Sequence, residues 1–366
     1  MAVVKADAYG HGLRVCAPAA VDAGAGWLGV TSVEEGVAAR ALCPKARILV
    51  MGGLFPGQGG AVIAHGLTPA VWDAWQAAEL KSAAKEAGIG DGGLPIHLEI
   101  DTGMSRQGVS LDNLPAFLAH FDAGSPLRVE TVMTHLSASD EAGSARTATQ
   151  LAQLEEALRC IAGHAGAALE PVRLSVGASA ALLSGGSEIV KLARRWKLRP
   201  MLRFGLALYG IPPQFAPAFA RGEEPDALRK AQAQLQPVLA WKSRVASVAS
   251  VQAGTEIGYN GTFVATEPMR LVLVAAGYAD GLDRRLGNRF SLLVRGQRAP
   301  LVGRVSMDQC VVDVTEIDGV EPGDEVVMLG CQGGESISAY DHAEVSGTIP
   351  WEVFTRIAAR VERIGV

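Results

Sequence analysis

The chain has 366 residues, 49% hydrophobic and 19% charged, a balance that supports a large core and excludes a disordered or fibrous protein. Lys plus Arg number 33 against 38 Asp plus Glu, a formal charge of −5 without a basic cluster, which argues against a nucleic-acid-binding surface. No apolar stretch approaches the roughly 18 residues that span a bilayer, so no membrane partner is expected. Lys5 and Asp7 stand where a signal peptide needs an apolar region. Cys16, Cys43, Cys160, Cys310 and Cys331 are odd in number, far apart and free of any CxxC. Neither a disulfide framework nor a metal site is expected, and a reducing, cytoplasmic setting fits.

Length suits one large domain plus a smaller one. In chain order, short β-like runs fall at Ala2–Val4, Trp27–Val30, Arg47–Met51, Thr68–Trp72, Pro95–Ile100, Leu127–His135, Val172–Val176 and Arg199–Tyr209. Several are apolar nearly end to end, as strands buried on both faces require. Helical stretches such as Asp73–Gly88 and Thr147–Gly163 separate them. In the latter, Leu151, Leu154, Leu158 and Ile161 share one helical face. Strands alternating with helices predict a parallel α/β sheet, and eight such units predict a (β/α)8, TIM-like barrel rather than a doubly wound sheet.

The pattern changes after Pro212-Pro213. Residues 214–236 are polar and read as a connecting segment. From Pro237 the chain is β-rich, with expected strands at Val238–Val251, Met269–Gly277, Phe290–Arg295, Val302–Val314 and Glu325–Leu329. A final helix is expected over Trp351–Arg363. The expected organisation is a barrel over residues 1–230, then a mainly β domain over 231–366 that ends in this helix.

Catalytic groups of a barrel gather at the C-terminal ends of its strands. Those ends carry Lys5, Glu99 with Asp101 and Arg106, His135, Ser179 just past the seventh strand, and Arg203 with Gly205. A rim lysine held deprotonated can bond a carbonyl carbon covalently. Position alone favours a lysine paired with Asp7.

The motifs around these residues decide more. Ala2-Val-Val-Lys-Ala-Asp-Ala-Tyr-Gly-His-Gly12 resembles the pyridoxal-phosphate attachment motif of alanine racemases. In the family's order follow Asp101-Thr-Gly-Met-Ser-Arg-Gln-Gly108, Thr134-His135 with Asp140-Glu141, and Arg203-Phe-Gly-Leu-Ala-Leu-Tyr-Gly210. Gly258-Tyr-Asn-Gly-Thr-Phe263, Gly277-Tyr-Ala-Asp-Gly281 and Gly303-Arg-Val-Ser-Met-Asp-Gln309 complete the series. The resemblance implies an isomerase that interconverts L- and D-alanine with pyridoxal 5'-phosphate, serving D-alanine synthesis for cell walls or its breakdown. Serine or a broader set of small amino acids is the alternative substrate. A decarboxylase or a non-catalytic pyridoxal-phosphate protein of the same barrel is the remaining one.

By that resemblance, Lys5 and Tyr259 are the two catalytic bases. Tyr9, Arg106, His135, Ser179, Arg203, Gly205, Leu206 and Trp351 join Lys5 in holding the cofactor. Arg106, Tyr278 and Met307 bind substrate, and Glu99 and Asp308 support them. The family's members are usually homodimers in which one subunit's β domain closes the other's barrel, which would bring Tyr259 to the partner's Lys5. Arg203 separates reaction classes: a guanidinium donates to the pyridine nitrogen but keeps its proton, and relatives that decarboxylate place a carboxylate there.

Three departures stand out. Family members carry a further β segment and helix ahead of the attachment lysine, whereas this sequence begins four residues before it, so a missing N-terminal segment is expected. Glu99 occupies a position that often holds a carbamylated lysine, and is expected to pair bidentately with Arg106. Trp351 replaces a tyrosine that bonds the cofactor phosphate.

Overall fold

The computed structural model describes residues 1–141, 143–164, 171–215 and 226–366. It divides into two compact units, Met1–Ala8 with Leu13–Gln236, and Tyr9–Gly12 with Pro237–Val366.

The first unit is the barrel. Its strands are β1 (Ala2–Val3), β2 (Trp27–Val30), β3 (Arg47–Val50), β4 (Thr68–Val71), β5 (Leu94–Glu99), β6 (Leu127–Thr134), β7 (Arg173–Val176) and β8 (Arg199–Met201), paired in parallel in sequence order. A parallel bridge between Ala2 and Phe204 closes the ring. The apolar runs that mark the strands are buried on both faces: β2 and β4 are buried at every residue. Inside the barrel, Trp27, Leu49, Ala70, Met133 and Met201 form a packed cluster with Met1, Met51 and Trp72 against it. The helices start on local signals, such as Asp73, which accepts from the Trp75 amide to open Ala74–Glu86 in a capping box. Helix Ala145–Gly163 buries Leu154, Leu158 and Ile161, the face expected from their spacing.

Two expectations change in this unit. The eighth strand was expected to reach Tyr209 but stops at Met201, and Leu206–Tyr209 is a 3-10 turn. The Ser179 hydroxyl accepts from the amides of Gly205 and Ala207, so they are withheld from any ladder and the chain turns. Part of the expected connecting segment is the helix Asp226–Gln234; residues 216–225 lie outside the described residues.

The second unit is antiparallel. Its strands are β9 (Trp241–Val251), β10 (Glu256–Ile257), β11 (Phe263–Val264), β12 (Met269–Val274), β13 (Ser291–Val294), β14 (Gln297–Pro300), β15 (Cys310–Asp313), β16 (Glu325–Gln332) and β17 (Glu335–Ile337). The main sheet runs β14-β13-β16-β9-β12-β15, with β17 on β16 and β10–β11 as a separate pair.

The strand expected over Val302–Val314 is reduced to Cys310–Asp313. The carbonyls of Ser306 and Met307 are taken instead by the amides of Tyr278 and Ala279. The helix expected over Trp351–Arg363 is Pro350–Arg356. Arg363 ends it, donating to the carbonyls of Ile357, Ala358 and Val361 that a continued helix would have used.

His97 on β5 is fully buried, and neither ring nitrogen has a protein partner among the described residues. It packs beside the Trp27 ring at 5.1 Å. Burial, with Arg47, Arg203 and Arg173 adding repulsion, pushes its pKa down to about 3. The unfolded imidazole binds a proton near pH 6.5, so stability falls as pH drops from there toward 3. We therefore expect His97→Leu to lose about 2 kcal/mol less than the native chain between pH 7 and pH 5 in urea unfolding. Equal losses in the two chains would show that His97 is not the titrating group.

Candidate active site

Lys5 is separated from β1 by Val4 alone, and the backbone that follows is unusual. Ala6, Asp7, Ala8 and Tyr9 have φ of 51°, 52°, 56° and 55°, a left-handed turn of four non-glycine residues. Each such residue costs about 1–2 kcal/mol, so the surroundings must impose the conformation. The Ala8 amide donates to Val4 O at 2.9 Å, and Asp7 Oδ1 accepts the Leu13 amide at 2.7 Å. Glu35 accepts the Ala6 amide on Oε1 and the Thr31 amide on Oε2, both at 2.7 Å. The Lys5 amine is pushed below the usual lysine range by burial and by Arg106, with Glu35 opposing and Arg203 assisting. A rim amine so placed is neutral more often than a free lysine near neutral pH.

At the end of β5 the chain makes a loop that returns to bridge it in parallel. Asp101 Oδ1 accepts the amides of Gly103, Met104 and Ser105 at 2.9–3.0 Å, and Ile100 bridges Val109. Gly108 has φ +115°, and a Cβ there would lie 2.4 Å from the Asp101 nitrogen, so only glycine lets the loop close. The loop carries Arg106, which is exposed and makes no hydrogen bond or ion pair among the described residues. Glu99 is 2% exposed. Its carboxylate does not pair with Arg106 as expected; Gln107 Nε2 donates to Oε2 at 2.6 Å and also to Met51 O at 3.0 Å. The Gln107 amide reaches the strand ends at Glu99 and Met51, whereas the Arg106 side chain is exposed. Burial raises the Glu99 pKa, while Gln107, Arg203 and Arg106 counteract it.

Arg203, 4% exposed, is the buried cation of the mouth. Its Nη1 donates to Ser175 Oγ at 2.7 Å, and its Nη2 donates to Thr134 O at 2.8 Å and to His135 Nδ1 at 3.1 Å. A guanidinium only donates, so His135 Nδ1 accepts and the imidazole proton belongs on Nε2. Burial, then Arg203, Arg106 and Lys5, push the His135 pKa down to about 3, which keeps it neutral. Burial lowers Arg203 to about 10 against the support of Glu99, so it stays a cation. Three of its five donors are used, leaving the Nε–H and one Nη1–H uncommitted. Gln150, 2% exposed, ties the ends of β5 and β6 together: it donates to Thr102 Oγ1 and His135 O and accepts from the Ser137 amide and hydroxyl.

Ser179 opens the helix Ser179–Arg195, whose preceding residue provides no side-chain cap. Uncapped amides at such a start suit a phosphate. The Ser179 oxygen already accepts the Gly205 amide, so its own proton is the donor that remains. No hydrogen bond is recorded for the Leu206 amide among the described residues. Tyr9, in the second unit, is buried, and burial pushes its phenol up to about 12.

Also in the second unit, Tyr259, Tyr278 and Met307 are 66%, 44% and 54% exposed. Gly277 carries no Cβ where one would lie 2.2 Å from Met307 O, and this close approach seats Tyr278 beside Met307. Arg360 donates to Asp308 Oδ1 and to Asp280 Oδ1, both at 2.7 Å, fixing the same loops. Trp351 lies in the first turn of Pro350–Arg356 and is partly exposed.

The barrel therefore brings Lys5, Glu99, Arg106, His135 and Arg203 into one electrostatic neighbourhood. Sequence reading missed Glu35, Gln107, Gln150 and Ser175. Only Gln107, inside the Asp101–Gly108 motif, carried a signal that could have singled it out.

A closed barrel with a depressed rim lysine, a buried arginine and an uncapped helix start defines a class: enzymes that seat a phosphate-bearing carbonyl cofactor on a lysine. Residues 1–213 match the alanine racemase N-terminal domain and 238–365 the alanine racemase C-terminal domain. Alanine racemase from Symbiobacterium thermophilum is 40% identical, covering 99% of this chain and 89% of its own. That from Nostoc sp. is 34% identical over 100% and 89%. The crystal structure of alanine racemase from Bacillus anthracis with bound L-Ala-P superposes with a TM-score of 0.84 at 31% identity, covering 98% of this chain and 86% of that one. That of Bartonella henselae alanine racemase with covalently bound pyridoxal phosphate gives 0.80 at 25%, covering 99% and 91%. The chain belongs to the alanine racemase family, isomerases that depend on pyridoxal phosphate. The donor set fits that group, with a depressed amine, uncommitted guanidinium N–H groups and open helix-start amides.

Gln107→Leu removes the one hydrogen bond that lowers the Glu99 pKa. Activity that needs the Glu99 charge is lost as pH falls, so the acid limb of kcat/KM should move to higher pH by about one unit in this variant. An unmoved limb would show that the ionisation of Glu99 does not govern activity.

Proposed function

We propose that the chain racemises alanine by a two-base mechanism in which Lys5 serves one face of the α-carbon and Tyr259 of a second subunit the other. The observation that carries the proposal is the Lys5 amine, held at the barrel mouth with its basicity lowered by burial and by the nearby Arg106 and Arg203. Bound there, pyridoxal phosphate supplies an electron sink beside the α-carbon. Lys5 Nζ would hold the group covalently and, as a free amine, would take or return the α-proton on its face. Arg203 would offer an uncommitted N–H to the pyridine nitrogen and keep its own proton, since its pKa remains near 10. By keeping its proton, Arg203 would leave the ring nitrogen unprotonated and so favour return of the proton to the α-carbon. His135, held neutral, orients Arg203 without adding charge. Arg106, with no protein partner among the described residues, is available to a substrate carboxylate. Ser179 and the Gly205–Leu206 turn hold the phosphate.

Tyr259 is supported as the second base by its exposure on a unit separate from the barrel. Protons on opposite faces require groups on opposite sides, and a second copy of the chain supplies one. Borohydride reduction of the cofactor-loaded chain, followed by peptide mass analysis, should label Lys5; a label elsewhere refutes the attachment. Lys5→Ala and Tyr259→Phe chains should each lose at least about 100-fold in kcat, as loss of a proton-transfer group does. Mixing them should restore activity, because each hybrid dimer regains one complete site. Absence of recovery in a mixture shown to contain heterodimers would place both bases in one subunit.

A further inference from the structure

We propose that Glu35 is a positioning residue for the attachment lysine: its carboxylate accepts the amides of Ala6 and Thr31 together and so fixes the turn that aims Lys5 into the barrel mouth. Glu35 belongs to helix Val33–Leu42, which follows β2, and none of the motifs read from the sequence includes it. Its two oxygens are divided between separate segments. Oε1 meets the amide immediately after Lys5, and Oε2 meets Thr31 at the end of β2, each at 2.7 Å. The Glu35 amide in turn donates to Ser32 Oγ, the cap of its own helix. The carboxylate is thus held at its base and spans β1 and β2 at their C-terminal ends.

The turn it grips does not form by default. Four successive L-residues in the left-handed region revert to ordinary conformations unless their amides are held. Asp7 supplies a second tether through the Leu13 amide, while Glu35 holds the amide immediately after Lys5. The same carboxylate is the negative group among those that act on the Lys5 amine, opposing Arg106 and Arg203. The other titratable groups of the mouth are Glu99, which supports Arg203, His135, which is neutral, and Asp7, whose Oδ1 accepts the Leu13 amide. Glu35 therefore joins geometry and charge. It fixes where the amine points and limits how far the two arginines depress it.

The inference rests on Lys5 as the attachment site, and the test keeps the two questions apart. Competitive acetylation of the full chain, freed of cofactor by hydroxylamine and read by peptide mass spectrometry, gives the titration midpoint of Lys5. Glu35→Gln keeps the length, removes the charge and turns one acceptor into a donor facing an N–H. Its midpoint should fall by about one pH unit. Glu35→Asp keeps the charge but is too short to reach both amides, so its midpoint should stay in place. Both variants should bind added pyridoxal phosphate about tenfold more weakly, as expected when a charge-assisted hydrogen bond is lost. Unchanged cofactor affinity in both variants, or an unchanged midpoint in the Gln variant, overturns the proposal. If circular dichroism shows the Gln chain unfolded, the affinity of the Asp variant decides alone. A borohydride label on another lysine defeats the attachment reading, while the acetylation midpoint still reports what Glu35 does to Lys5.

Discussion

The mouth of the barrel is organised around one buried cation. Arg203 cannot shed its proton under any ordinary condition, so the surrounding groups must accommodate the charge. Three acceptors, the Ser175 hydroxyl, the Thr134 carbonyl and the His135 ring, are arranged around two guanidinium nitrogens. That demand sets the state of its neighbours. His135 must be neutral to accept, Glu99 is retained as a buried countercharge despite the cost of its own burial, and the Lys5 amine lies in a field that favours its neutral form. A lysine in the place of Arg203 could satisfy fewer acceptors and would itself lose charge when buried. The nearby acid–base properties follow first from burial, to which this guanidinium adds by lowering His135 and Lys5 further and by opposing the rise of Glu99.

A second constraint is conformational. The residues that approach the mouth sit on backbone that ordinary helices and strands do not provide: a left-handed turn after Lys5 and a loop closed at Gly108. Each is held by carboxylates that accept backbone amides: Glu35 takes two and Asp7 one at the first, and Asp101 takes three at the second. Buried Gln150 performs the same task between the ends of β5 and β6. Strain is thus balanced by short hydrogen bonds next to the place where it is used.

These constraints explain what the sequence discloses. Strands β2 to β7 were legible because burial on both faces demands unbroken apolar runs, which leave a one-dimensional signal. Lys5, His135 and Arg203 were legible for the same reason: each polar residue follows an apolar run and so marks a strand's C-terminal end. The eighth strand was overextended because Leu206–Tyr209 is as apolar as a strand, and its 3-10 turn depends on Ser179, which lies far away in sequence. Val302–Val314 misled similarly: Val302 lies outside the strand yet is buried with Ile257, Met269 and Leu271 as a strand residue would be. Glu35, Gln150 and Ser175 left no signal, because a solvent-facing carboxylate and one that clamps two backbone amides look the same in a sequence. Glu99 was found, but its partner was misassigned; charge complementarity suggested Arg106, whereas reach and burial selected the neutral neighbour Gln107.

The preference for Gln107 follows from what each partner must do. Had Glu99 taken Arg106 in a bidentate pair, the loop's one uncommitted cation would be neutralised, and a substrate carboxylate would have to compete for it. A neutral amide satisfies one Glu99 oxygen without using any positive charge, and its second bond to Met51 O anchors the loop to β3. Glu99 can then oppose the desolvation of Arg203 while Arg106 remains available for an anion. Two cations share the mouth, Arg203 bonded by three protein acceptors and Arg106 by none among the described residues, and a glutamine keeps Glu99 from pairing with the second.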